Sequence, residues 1–203
     1  MSRTILIHIG KCGGSTCRLA IRDSAVRIDR VVHLRQPTVE IAARYVIIAR
    51  APIARALSAF NWRHQLVNSD ARQAARFPGE RAILNHYGKL GALAEQLYFQ
   101  DGTDNALAQG NFRSIHHLGE SIAFYLDPLL AQIGPGQMDG VVMQETLEAD
   151  LTRLFGITTS LRERAHCSAT PPGMLALSKR ARVNLRRFLA RDFACLETLR
   201  DWG

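Results

Sequence analysis

The stretch Ile5-Leu6-Ile7-His8-Ile9-Gly10-Lys11-Cys12-Gly13-Gly14-Ser15-Thr16 has the residue types and spacing to hold an anion. An apolar run enters a Gly-Lys-x-Gly-Gly-Ser-Thr turn, and Cys17 to Arg22 read as the first turns of a helix. In such a strand–turn–helix unit, free backbone N–H groups and the positive helix end point at one spot, and glycine lets the backbone come close. Lys11 adds a side-chain cation. The spacing is not that of a Walker A loop, which needs four residues between its first glycine and a Gly-Lys-Ser/Thr. Here the lysine precedes the glycine pair.

Residues 45–62 offer a second anion reader. Tyr45 to Ala49 form a continuous apolar run, as a buried parallel strand requires. Pro52 suits the first position of a helix. The 3.6-residue period puts Ile53, Ala56, Leu57 and Phe60 on the core face and predicts Arg55, Ser58 and Trp62 opposite. Arg50 falls at the carboxyl end of the strand, where open α/β sheets bind ligands. With the hydroxyl of Ser58 it makes a candidate phosphate clamp.

Together these segments resemble the sulfotransferase family that uses 3′-phosphoadenosine 5′-phosphosulfate (PAPS). That family has a strand followed by a Pro-Lys-x-Gly-Gly-Thr/Ser-Ser/Thr-like loop, and later an arginine at a strand end with a serine eight residues on. This chain has Gly10-Lys11-Cys12-Gly13-Gly14-Ser15-Thr16 and the pair Arg50 and Ser58, in the same order. The match is specific over residues 4–62, weaker over 138–200 and absent over 63–112. Gly10 stands where the family usually has proline, and Cys12 where it has a small hydroxyl residue or alanine. The resemblance implies a single domain over residues 1–203, with a central parallel sheet flanked by helices in a P-loop-NTPase-like fold. It implies that Lys11, Cys12, Gly13, Gly14, Ser15 and Thr16 bind the 5′-phosphosulfate end, and that Arg50 and Ser58 bind the 3′-phosphate. PAPS is the expected co-substrate, without a metal. The Lys-x-Gly-Gly-Ser/Thr form is closer to the carbohydrate-sulfating branch, so a carbohydrate or other small hydroxyl compound is the expected acceptor.

Sulfuryl transfer needs a cation at the departing nucleotide, a base for the acceptor proton and in-line positioning. Lys11 is the candidate cation and His33, at the end of a short predicted strand, the candidate base. His33 also fits a structural histidine at a strand end, and Glu145, His116 and His117 are the other candidate bases. Two further readings stand beside this one. A Mg-dependent P-loop kinase would need an Asp or Glu at a strand end, whereas these strands end at His33 and Arg50. The departures at Gly10 and Cys12 admit a catalytically inactive PAPS- or phosphate-binding protein.

Strands are predicted at 4–9, 30–34, 45–49 and 141–143. Helices are predicted to about Ser24, as a short turn at 39–44, from Pro52, over 80–100, 106–132 and 146–155, and from Ser178 to the end. A polar loop is predicted over 162–173. Alternating strands and helices indicate an α/β domain. The 203 residues suffice for a full core. The net charge of +8 suits a polyanionic ligand, but no Lys/Arg block interleaved with aromatics points to nucleic acid. Most of the arginines read as solvated. Cys12, Cys17, Cys167 and Cys195 lack zinc-ligand spacing, and a reduced compartment is expected. The N-terminus enters a strand at once and no apolar run reaches membrane-span length, so a cytoplasmic protein is expected. The oligomeric state has no signature.

Overall fold

The computed structural model, which describes residues 2–158 and 172–202, has four strands in one parallel sheet, and its two central strands carry the unbroken apolar runs Ile5–Ile7 and Tyr45–Ala49. In chain order the elements are β1 (Thr4–His8), α1 (Gly14–Arg22), β2 (Arg30–His33), β3 (Arg44–Ala49), α2 (Pro52–Ser69), α3 (Ala71–Arg76), α4 (Glu80–Tyr87) and α5 (Leu90–Glu95). There follow α6 (Ala106–Ser114), α7 (Ile122–Leu130), β4 (Met138–Met143), α8 (Leu147–Phe155), α9 (Pro172–Leu175), α10 (Lys179–Phe188) and α11 (Ala190–Trp202).

The four strands lie in the order β2-β1-β3-β4. Ile7 pairs with Val32 on one side and Ile47 on the other, and Ile47 pairs with Val141. Because every pair is parallel, all carboxyl ends share one edge: His8 stands beside His33, and Ala49 beside Met143. From β1 the chain goes to β2 on one side, then passes to β3 on the other. The switch point, where open α/β sheets bind ligands, lies between β1 and β3.

The chain groups into two compact units, each built from separate segments. The sheet unit takes residues 1–51, 122–167 and 192–203. Its core joins Ile5, Ile7, Val46 and Ile48 to Cys17 and Ile21 of α1, Ile122, Tyr125 and Leu129 of α7, Leu151 of α8 and Leu199 of α11. The helical unit takes 52–121 and 168–191. In it α2 packs on α3, α4 and α5, and α5 packs on α10.

Several predicted elements are altered. Residues 39–44 hold a single hydrogen-bonded turn, Ala43 N–H to the Glu40 carbonyl at 3.0 Å, and no helix; the Glu40 N–H also donates to the Tyr45 hydroxyl, which donates back to the Glu40 carbonyl. The 80–100 helix breaks at Gly88, whose φ of 66° ends α4 in the left-handed region. The 106–132 helix is two helices, because Ile115 turns extended at φ −80°, ψ 121°. Ile115, Leu118, Ile122 and Leu126 are nonetheless all buried, as their spacing predicts. The final helix divides at Leu189 into α10 and α11. The loop predicted over 162–173 falls outside the described residues up to 171, and its last two residues open α9. Among the described residues, no helix is long and apolar enough to cross a membrane.

Candidate functional site

The turn after β1 is built by backbone that only certain residues tolerate. Lys11 has φ 68° and Gly13 φ 79°, so two left-handed residues fold the chain back before α1 begins at Gly14. Gly13 is the N-cap and offers no side chain to cap this end. The first intrahelical bond runs from the Cys17 N–H to the Gly13 carbonyl at 3.1 Å. The N–H groups of Gly14, Ser15 and Thr16 therefore precede the helix's own ladder, as an anion-binding helix end requires.

Both glycines are also required by space. A Cβ on Gly13 would stand 2.8 Å from Gln144 Cγ, and one on Gly14 would stand 1.9 Å from His8 Cδ2. His8 thus lies directly against the turn. It is 5% exposed, and its Nδ1 is buried with no hydrogen-bond partner among the described residues. Burial, then the nearby His33 and Arg18 charges, bring its pKa down from 6.5 to about 3. It stays neutral at physiological pH.

His33 stacks on His8 with ring centroids 3.9 Å apart and planes 11° from parallel. Its Nδ1 lies 2.8 Å from the His8 carbonyl oxygen. A carbonyl only accepts, so Nδ1 carries the proton in this contact and neutral His33 keeps its lone pair on Nε2. That tautomer is the one a base at this strand end needs.

Arg50 follows β3 across the switch point. Its Nη1 approaches the Lys11 carbonyl oxygen at 3.5 Å, and its Nε is buried without a hydrogen-bond partner among the described residues. Burial weakens its hold on the proton, while Cys12 and Glu145 act in the opposite sense. No carboxylate pairs with it among the described residues. The opposite edge of the sheet is different: Arg30 pairs with Glu40 at 2.6 Å, and Arg44 pairs with Asp139.

The structure therefore brings Lys11, Cys12, Gly13, Gly14, His33 and Arg50 to one edge of the sheet unit. Thr16 is buried, whereas Ser15 is exposed and lines a shallow groove with Arg18, Arg22 and Val31. Cys12 is buried, with Sγ 3.8 Å from the Gly10 carbonyl oxygen. Burial pushes the Cys17 thiol up to about 12, which makes it a core residue and not a nucleophile. Ser58 lies on α2 in the helical unit and is partly buried. Glu145 accepts the Ala51 N–H at 3.1 Å, tying the end of β4 to the end of β3. His116 and His117 lie in the helical unit, on the α6–α7 connection. Burial opposes the charge of Glu120 beside them, yet His116 and the His117 N–H hold its carboxyl down at about 2.

Sequence reasoning missed His8 and Gln144 as walls of the turn. Gln144 follows a strand's carboxyl end directly, which is a usable signal. His8 sits inside an apolar run, and nothing in the sequence separates a wall of the turn from an ordinary core position. The predicted polar face of α2 is also corrected. Arg55 is 2% exposed and donates from Nη2 to the carbonyls of His117 at 2.9 Å and Glu120 at 2.5 Å. Its buried face runs through Ala56, Ala59, Phe60, Arg63 and Val67, with Ile53 and Leu57 only partly covered. No family model, curated protein or solved structure matches the chain.

Proposed function

We propose that this chain is a PAPS-dependent sulfotransferase that moves a sulfuryl group to a hydroxyl of a carbohydrate or other small molecule. The observation that carries the reading is the pairing at the switch point. An uncapped helix N-terminus behind two glycines faces the same edge as Arg50, an arginine with a buried, unpartnered Nε. Both features favour a ligand with more than one anionic group.

In this reading the turn from Lys11 to Thr16 holds the 5′-phosphosulfate end. Arg50 meets the 3′-phosphate, and the part of Ser58 rests on its sequence spacing alone. His33 Nε2 takes the proton of the acceptor hydroxyl. The acceptor oxygen forms its bond to sulfur as the bond from sulfur to the 5′-phosphate oxygen breaks. Lys11 and the α1 N-terminus offset the charge that grows on the departing 3′-phosphoadenosine 5′-phosphate (PAP). His33, once doubly protonated, keeps its Nδ1–H on the His8 carbonyl, and so ends the step in the orientation in which it began. Glu145 is committed to the Ala51 N–H, and its role here is to position the β3 end.

The reading is tested by thermal unfolding with PAP and with ATP plus magnesium. PAP at about a hundred times its dissociation constant adds roughly 2.7 kcal/mol of stability, and ATP with magnesium adds clearly less. A larger shift from ATP that disappears with chelator assigns the site to a kinase-like phosphotransferase instead. PAP binding without turnover across hydroxyl acceptors assigns an inactive binding protein.

A further inference from the structure

We infer that the α6–α7 connection of the helical unit is a site for a divalent transition-metal ion of the zinc class, held by His116, His117 and Glu120. Each of these residues offers one ligand atom, and the three atoms lie within 4.8 Å of one another. The site is independent of the nucleotide reading and belongs to a different unit of the chain.

The chemistry of the donor set selects the ion. Two imidazole nitrogens and one carboxylate oxygen suit zinc and its neighbours, whereas magnesium and calcium prefer oxygen alone. Zinc binds nitrogen at about 2.0–2.1 Å and carboxylate oxygen at about 2.0–2.2 Å, so ligand atoms in a tetrahedron stand about 3.4 Å apart. His116 Nδ1 and Glu120 Oε1 are already 3.2 Å apart. Binding replaces the hydrogen bond between them: the Nδ1 proton leaves to solvent and its lone pair turns to the metal. Three protein ligands leave a fourth position to water.

The connection is held from two sides, as a preorganised ligand loop must be. Arg55 donates to the carbonyls of His117 and Glu120. Glu80, itself paired with Arg63, accepts the His116 N–H at 2.8 Å. Phe77 stacks on the His116 ring at 4.5 Å, and Glu120 Oε2 accepts the His117 N–H at 2.5 Å. These contacts keep His117 at φ 68°, an uncommon conformation for a residue with a side chain. They place its imidazole beside that of His116, with centroids 4.1 Å apart.

The test is a titration of the full chain, untagged and stripped of metal by a chelator, with Co²⁺ and then Zn²⁺. The expected result is one cobalt per chain, with the visible absorption of a four-coordinate site, displaced by zinc and not by Mg²⁺. His117→Asn removes the imidazole but keeps a residue that tolerates positive φ. Glu120→Gln keeps an acceptor for the His117 N–H. Each lowers cobalt affinity at least about 10-fold, the smallest loss typical of disturbing such a site. His86→Ala, at an exposed position, leaves it unchanged. Zinc raises the melting temperature of the wild type and fails to raise that of either variant, and circular dichroism of the metal-free variants separates lost ligation from lost fold. Absence of stoichiometric cobalt, or an affinity unmoved in both His117→Asn and Glu120→Gln, overturns the assignment.

Discussion

Arg50 and Arg63 are both drawn away from water, and the two units treat them in opposite ways. In the helical unit, Arg63 is 2% exposed and meets Glu80, itself 1% exposed. Its Nε lies 2.9 Å from Glu80 Oε1 and its Nη2 2.5 Å from Oε2. Arg55 likewise has its bonds within the unit, from Nη2 to two carbonyls. In the sheet unit, Arg50 has one long contact to a carbonyl and a buried Nε without a partner among the described residues. A buried cation with its bonds made is part of the scaffold, and removing its partner is costly. A partly buried cation whose bonds are not made lowers stability where it sits, and the fold retains it where a ligand supplies the missing acceptor. Bonds made at Arg63 and unmade at Arg50 thus distinguish the two arginines without reference to any motif.

The largest effect is expected at Arg63. Arg63→Ala leaves Glu80 buried and uncompensated, and denaturant unfolding is expected to lose about 3–5 kcal/mol. A loss under about 1 kcal/mol would mean that the pair is not the scaffold contact described here.

Next in size is a change of rate. His33→Ala removes the proposed base but none of the groups proposed to hold the nucleotide. Turnover with a working acceptor is expected to fall roughly 10²–10⁴-fold while PAP affinity stays nearly the same. Activity within a few-fold of wild type would leave the sheet edge as a binding site and move the base elsewhere.

Much of the sheet edge was legible in the sequence, because buried parallel strands read as unbroken apolar runs and left-handed turns call for glycine. Tyr45–Ala49 and Gly13 carry those signals, whereas the left-handed Lys11 beside them does not. The helical unit was less legible. Arg55 and Arg63 recur on α2 at positions where arginine ordinarily faces water, and their partners lie 10 to 65 residues away. The break after Ser114 lies beside the same contacts, since Arg55 takes the His117 and Glu120 carbonyls that a continuous helix would have bonded internally. The fit of His8 against Gly14 joins two elements that a linear pattern reads separately.

The pH dependence of stability sharpens the account of His8. Its folded pKa is about 3 against 6.5 for the free group, so between those values the unfolded chain binds more protons than the folded one. The stability that depends on neutral His8 is complete above about pH 6.5 and is lost as pH falls toward 3. Urea unfolding at a series of pH values is expected to show this slope, and His8→Asn is expected to reduce it. An equal slope in the two proteins would mean that His8 is not buried neutral against the turn.

The edge carrying Arg50 is proposed to be an anion site and not scaffold. Calorimetric titration of PAP into wild type and Arg50→Met, with the stability of both measured alongside, tests it most directly. The account predicts one PAP per wild-type chain. It predicts an Arg50→Met protein at least as stable as wild type, with PAP binding weakened by about 1.5–3 kcal/mol, the worth of a hydrogen bond to a charged group. No PAP binding to the wild type, or equal affinity in a folded Arg50→Met protein, would contradict it.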